Sequence, residues 1–454
     1  MNTEETNIVP NWNFKSGEIG SLPDGWEVRT AKDYPYLKPK FELAEKNGEK
    51  VLVMSGNGND DCCGWIQSKF PMETGKTYRL RVVFKVSKDI NPQFNLMFCC
   101  YADNHPYNNH GIFHFHKLDD GWIEGEDSFF VFGNGSATGD VRLLFRYSAQ
   151  GEVCIKQVSL QECEPAAPRS VRLAATHGRG SVDKWAEAID SAAADGVDLV
   201  LLPETFLEID ESETMDGPSV RLMAEKSKEH GIYVAGSLHY LDPTDGRSYN
   251  AGMLFDRKGD LAGKYYKIHL HTPEATEMGL TPGLDSPVWE TDFGTIGMII
   301  CYDGWFGDVT RLLALKGAEV VLWPAAGAYK GLIHARSADN GIIMLSSTLG
   351  TGASIFDACG DDIINPTTYD SFFNGKKPYS NVKQWTAGDI EVVAGTFNLN
   401  ELQSPANYGH LWASPGGYRN QYESRKLLYN EIQKEAERWW DTRPSRGYFP
   451  FANE

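Results

Sequence analysis

The sequence predicts two architectures in series, an all-β domain followed by a layered α/β domain. Three observations carry this reading. Apolar residues alternate with period two up to about residue 164, the segment CEPAAPRS breaks the pattern with two prolines, and strand-like and helix-like runs then alternate repeatedly. The expected divisions are residues 1–164, a linker at 165–170, an α/β domain at 171–400 and an extension at 401–454. A chain of 454 residues is long enough for two or three cores.

In the first region, KTYRLRVVFKV places Tyr78, Leu80, Val82, Phe84 and Val86 on one face, with Arg79, Arg81 and Lys85 opposite. DVRLLFRY repeats the pattern with Val141, Leu143, Phe145 and Tyr147. Turn-rich stretches such as SGNGNDD separate such strands, and no long amphipathic helix interrupts them, so a jelly-roll-like β-sandwich is expected. The stretches NWNFKSGEIGSLPDGWEV, GWIQSKFPMETGKTYRL and GEVCIKQVSL resemble sugar-binding-module-like jelly rolls. That resemblance implies a saccharide ligand, for which Trp26, Trp65 and Trp122 are the stacking candidates, although packing of the sandwich or its domain interface is the simpler expectation for them. His114 and His116 share a strand face, but no acidic or cysteine partner matches them as metal ligands, so a polar strand face is the simpler expectation.

After the linker, SVDKWAEAIDSAAADG repeats Trp185, Ala188, Ile189 and Ala192 at helical spacing, with Ser181 to cap it and Gly196 to end it. VDLVLLP is a continuous apolar run, as a strand covered on both faces requires. The cycle recurs through GPSVRLMAEKSKEHG, IYVAGSLHY, GTIGMII, DVTRLLALKG and EVVLWP. Reactive groups in such a domain are expected at the carboxyl ends of strands.

Bulk properties exclude several functions. A net charge of −19 is wrong for nucleic acid or an anionic membrane surface, which require a basic face. The N-terminus lacks the basic and apolar segments of a secretory leader, and no run of 18 apolar residues is present. Eight cysteines, including the neighbouring pairs Cys62–Cys63 and Cys99–Cys100, lack zinc-site spacing. One buried apolar residue per pair and a cytoplasmic location are expected.

Three side chains stand where chemistry is to be sought. Glu204 ends VLLPETF, Lys267 lies in GKYYKIHLH, and Cys301 closes the strand-like GTIGMII before a turn and helix. A carboxylate, an ammonium and a thiol are the parts needed to cleave an amide-type carbon–nitrogen bond through a thioester. A helix start after the thiol is expected to favour its thiolate.

In this order and context the three stretches resemble the carbon–nitrogen hydrolase (nitrilase/amidase) superfamily over about residues 170–400. That resemblance implies an αββα sandwich, with Cys301 as nucleophile, Glu204 as general base and Lys267 as oxyanion stabiliser. Lys264 is the alternative lysine. The backbone N–H of Tyr302 is implied as a second oxyanion donor. A second glutamate is also implied, Glu274 or Glu277, with Glu274 preferred for its spacing from Lys267. LIHARSADNGIIMLSSTLG resembles the family's RAxEN helix, with Asp339 in place of the more usual Glu, and Asp308 makes the same exchange in GWFGD. Tyr302, Trp305, Trp323 and Tyr329 are candidates to line a substrate pocket or to pack the core. The resemblance implies neither metal nor organic cofactor.

The expected activity is hydrolysis of a small-molecule amide or carbamoyl amide. Nitrile hydrolysis, acyl transfer, and a glycan-binding protein with a retired hydrolase domain are the alternatives. Homo-oligomers are expected, with the extension at 401–454 as a candidate dimer contact, and the polar stretch from Gly360 to Thr386 reads as a lid or interface loop.

Overall fold

The structure is a computed structural model that describes residues 7–30, 34–104, 108–112, 115–165, 167–366, 377, 379–400 and 434. His114 and, Lys434 apart, the extension at 401–454 lie outside them, as does part of the stretch from Gly360 to Thr386. The chain parts into two compact units between Pro165 and Ala166.

The first unit is built from β1 (Glu27–Arg29), β2 (Lys40–Lys46), β3 (Glu49–Ser55), β4 (Cys63–Thr74), β5 (Thr77–Val86), β6 (Leu96–Ala102), β7 (Asn109–Gly111), β8 (Phe115–Lys117), β9 (Ile123–Phe130), β10 (Gly135–Arg146) and β11 (Glu152–Glu162), with one helical turn, α1 (Pro92–Asn95). They form two antiparallel sheets, ordered β1-β4-β10-β6-β7 and β2-β3-β11-β5-β9-β8. The alternation in sequence becomes the core: Tyr78, Leu80, Val82 and Phe84 from one sheet meet Val141, Leu143 and Phe145 from the other. Tyr147 departs from that pattern. Its strand ends at Arg146, and Tyr147 takes φ +55° and turns outward.

The tryptophans are placed unequally for ligand stacking. Trp26 is buried against Phe14, with ring centroids 5.4 Å apart. Trp122 already carries the ammonium groups of Lys85 and Lys156 at 4.6 and 5.3 Å from its ring. Trp65 is half-buried on β4. His116 pairs with Glu124 at 3.2 Å. Cys99 and Cys100 point to opposite faces yet both are buried, where one buried residue per pair was expected.

The second unit contains β12 (Ser170–His177), α2 (Val182–Ala194), β13 (Leu199–Leu201), α3 (Pro218–His230), β14 (Tyr233–Asp242), β15 (Arg247–Phe255), β16 (Leu261–Tyr266), α4 (Thr272–Thr276), β17 (Val288–Glu290), β18 (Thr295–Met298), α5 (Gly307–Leu315), β19 (Val320–Ala325), α6 (Lys330–Asn340), β20 (Ile343–Thr348), β21 (Ser354–Phe356), β22 (Tyr379–Ala387) and β23 (Ile390–Asn398). The strands follow the order β16-β15-β14-β13-β12-β20-β19-β18-β17, and β23 pairs along the whole of β12. β12 and β20 join only at His177 and Thr348, so the sheet has two halves hinged there.

Three apolar clusters layer these halves. Ala174, Val200 and Val234 face α2 and α3, burying Trp185, Ala188, Ile189 and Ala192 as the helical spacing requires. Val321, Trp323 and Met344 face α5 and α6. The opposite strand faces share one interior, where Leu173, Leu201 and Leu254 meet Met298, Leu322 and Leu345. At Gly252 the halves come so close that a Cβ would stand 2.1 Å from Met298 Sδ, so any larger residue would have to push that side chain aside. α3 and α6 each end on a left-handed glycine, Gly231 and Gly341.

Candidate active site

The carboxyl ends of three strands converge on one buried group of side chains. Glu204 follows β13, Cys301 follows β18 and Ala326 follows β19, while Lys267 comes just after β16. Cys301 opens a 3-10 turn, Cys301–Trp305, that separates β18 from α5. Its φ is +41°, and Thr205, directly after Glu204, has φ +43°. Left-handed backbone is costly for residues with a Cβ, most of all for β-branched threonine, and such strain collects where a fold must aim a side chain.

Lys267 is 1% exposed and its ammonium donates to Glu204 Oε1 at 3.0 Å and Glu274 Oε2 at 2.7 Å. Asn250, on β15, donates through Nδ2 to Glu204 Oε1 at 2.8 Å and to Glu274 Oε1 at 2.7 Å. The backbone N–H of Ala326 donates to Glu204 Oε2 at 2.9 Å, and that of His271 to Glu274 Oε2 at 2.6 Å. The Cys301 thiol lies near enough to Glu204, Lys267 and the Ala326 N–H for each to act on its titration.

Electrostatics follow from this crowding. Burial, then the nearby Glu204 carboxylate, pushes the Cys301 thiol up to about 12, and the opposing pull of Lys267 does not reverse it. Two carboxylates already share one ammonium, so a thiolate would add an uncompensated buried charge. A helix start does not supply the expected relief, because the 3-10 turn intervenes and α5 begins only at Gly307. Lys267 moves the other way from what burial alone would cause: the Glu204 and Glu274 carboxylates outweigh desolvation and hold it protonated well above the usual lysine range.

The remaining candidates separate. Glu274 is buried in the cluster and Glu277 is exposed. Lys264 pairs with Asp242 at 2.8 Å, away from the thiol. It borders a cavity of about 310 Å³ shared with Arg247 and the stacked Tyr249 and Tyr266, and none of Glu204, Lys267, Glu274 and Cys301 lines it. Trp323 is buried beneath the nucleophile turn, its indole N–H donating to Cys301 O at 3.0 Å. Tyr302 packs edge-on to His271 and Phe306, while Trp305 and Tyr329 are 59% and 66% exposed. Asp308 lies 3.6 Å from His269 Nε2, and Asp339 accepts from Arg311 through its backbone carbonyl at 2.8 Å. Cys359 packs beside the shared interior of the sheet halves.

Asn250 was not singled out from the sequence. A lone amide on a strand as apolar as YNAGMLF is the signal that was there to find, because a buried polar group needs partners. Among the described residues, Asp190, Glu229 and His230 bring metal-ligand atoms within 4.8 Å of one another, but the Lys226 ammonium already sits between Asp190 and Glu229. No helix of the described residues is long and apolar enough to cross a membrane.

Residues 174–348, which include Glu204, Asn250, Lys267, Glu274 and Cys301, match the carbon–nitrogen hydrolase family profile. The chain carries a carbon–nitrogen hydrolase domain. It is 30% identical over 199 residues to Nitrilase homolog 2 of Dictyostelium discoideum, an alignment covering 39% of this chain and 61% of that protein. It is 25% identical over 279 residues to a citrullinase of Francisella tularensis, covering 55% of this chain and 91% of the relative. Among solved structures, Saccharomyces cerevisiae Nit3, a member of branch 10 of the nitrilase superfamily, aligns at 20% identity with a TM-score of 0.43, over 53% of this chain and 95% of that one.

Proposed function

We propose that this carbon–nitrogen hydrolase domain cleaves a small amide or carbamoyl amide through a thioester on Cys301. The observation that carries the reading is the buried ammonium of Lys267, held by Glu204 and Glu274 beside a thiol that is itself in reach of Glu204. Because the thiol rests protonated, attack and proton transfer go together. Sγ bonds to the substrate carbonyl carbon as its proton passes to Glu204. The oxyanion forms against the Lys267 ammonium, with the Tyr302 N–H as second donor. Collapse breaks the C–N bond, and Glu204 returns its proton to the leaving ammonia or amine. Glu204 then takes a proton from water as the water attacks the thioester, and the acid leaves with the thiol restored. Glu274 and Asn250 keep Lys267 and Glu204 in place.

The layering of two sheet halves between two helix pairs supports an αββα sandwich for this domain, and two antiparallel sheets around one core support a jelly roll for the first unit. Saccharide binding there rests on Trp65 alone, since Trp26 and Trp122 already have partners.

The test is ammonia release from a panel of small primary amides and carbamoyl compounds, with intact-protein mass spectrometry for the acyl adduct. Cys301→Ala abolishes both in this reading. Turnover that survives Cys301→Ala overturns it.

A further inference from the structure

The strands that deliver Lys267 and Cys301 are far apart in the sheet. Between β16 and β18 stand six others in hydrogen-bonding order, β15, β14, β13, β12, β20 and β19. No ladder sets the distance between the ammonium and the thiol. Lys267 also lies beyond the end of β16, where its backbone is held only by Lys267 N–H to Asn250 O at 2.9 Å and Gly283 N–H to Lys267 O at 2.8 Å.

We propose that Asp303 is a positioning residue whose buried carboxylate clamps the segment carrying Lys267 to the turn carrying Cys301. Asp303 is fully buried and accepts four donors. Oδ2 receives the Tyr265 hydroxyl at 2.7 Å and the Ile300 N–H at 2.9 Å. Oδ1 receives the His269 N–H at 2.8 Å and His269 Nδ1 at 3.1 Å. Tyr265 and His269 flank Lys267 two residues to either side, and Ile300 and Asp303 bracket Cys301. One carboxylate therefore ties both reactive segments at points within two residues of the reacting atoms. His269 is fixed further by stacking on Phe306, with centroids 4.2 Å apart, and by Asp308 at 3.6 Å from Nε2. The imidazole suits the clamp: the hydrogen bond it gives to Asp303 raises its pKa from the ordinary histidine value against the effect of burial.

The clamp matters because a reacting geometry tolerates little displacement; a shift of about 1 Å costs on the order of 100-fold in rate. In Asp303→Asn, one oxygen becomes an NH₂ that must face either Tyr265 and Ile300 or the two donors of His269, so one side of the clamp opens. The inference rests on the assignment of Lys267 and Cys301 above, and the experiment separates the two. For wild type, Asp303→Asn and Tyr265→Phe, one measures kcat and KM on an accepted amide. One also measures the rate of Cys301 alkylation by iodoacetamide, read on the Cys301 peptide by mass spectrometry, and the thermal midpoint. The groups that set the thiol's reactivity are Glu204, Lys267 with its partner Glu274, and the Ala326 N–H.

The expected result for Asp303→Asn is a fall in kcat of roughly 10- to 100-fold with KM within about threefold, and slower alkylation as Lys267 withdraws from the sulfur. Tyr265→Phe keeps the ring in the core and removes one donor, so it shows a smaller fall of the same kind and decides the matter if Asp303→Asn does not fold. If Tyr265→Phe keeps both kcat and alkylation within twofold of wild type while only the thermal midpoint drops, Asp303 merely anchors the fold and the proposal is wrong. A wild type that turns over no amide, but whose Cys301 alkylation slows in both variants, refutes the proposed reaction and leaves the clamp standing.

Discussion

Replacing Lys267 by Met tests the electrostatic core of the site. The methionine fits the volume but removes the ammonium that Glu204 Oε1 and Glu274 Oε2 share at 3.0 and 2.7 Å. Both carboxylates are nearly fully buried, 6% and 7% exposed, so they cannot recover their charge in water. Removing one partner of a buried pair costs about 3–5 kcal/mol of stability. The donors that remain, Asn250 Nδ2 and the N–H groups of Ala326 and His271, keep the loss from exceeding that range. Separately, the oxyanion loses a charged donor worth about 3–4 kcal/mol, a 10²- to 10³-fold fall in kcat. The stability loss is read from urea midpoints. Lys264→Met serves as the control: it breaks the Asp242 pair and the contacts with the Tyr240 and Tyr266 rings, and leaves kcat within a few-fold. A Lys267→Met enzyme that keeps kcat within threefold, or a urea midpoint equal to wild type, would refute this account.

Three further outcomes are expected. Alkylation of Cys301 rises with pH without a plateau up to about pH 10, because the folded thiol titrates near 12; a plateau near neutrality means a preformed thiolate and contradicts the neutral-thiol mechanism. The raised thiol also favours folding below its unfolded pKa, and that contribution fades as pH climbs toward 12. Asn250→Ala strips one donor from each of two buried carboxylates, at about 1.5–3 kcal/mol per charged hydrogen bond, and Asn250→Asp is worse because it adds a third carboxylate; equal urea midpoints for Asn250→Ala and wild type would contradict the shared-donor geometry. Gly304→Ala places a Cβ 1.9 Å from Trp323 Cζ2 directly below the nucleophile turn, so overpacking costs about 1–3 kcal/mol and kcat falls; a thermal midpoint equal to wild type would show that the turn has slack.

Much of the architecture was legible because the rules that produce it are local. Period-two alternation around Tyr78–Phe84 and the helical spacing of Trp185, Ala188, Ile189 and Ala192 each needed only a dozen residues of context. Tyr147 broke its pattern because strand termination depends on a turn conformation that alternation does not encode. The acidity of Cys301 departs from the sequence expectation for a related reason. Strand–turn–helix order suggested a helix dipole aimed at the sulfur, whereas the structure interposes a 3-10 turn and places Glu204 beside it.

Local sequence context suffices for the succession of an all-β and an α/β region, and for the chemical types at Glu204, Lys267 and Cys301, since each stands out against its own apolar neighbours. Which groups meet depends on the packed fold. Glu274 rather than Glu277 faces Lys267, Asn250 joins two carboxylates from 46 and 24 positions away, and Asp303 reaches Tyr265 across 38. Such partnerships depend on strand order and on two sheet halves closing over a shared core. That is a property of packing, and no window of neighbouring residues contains it.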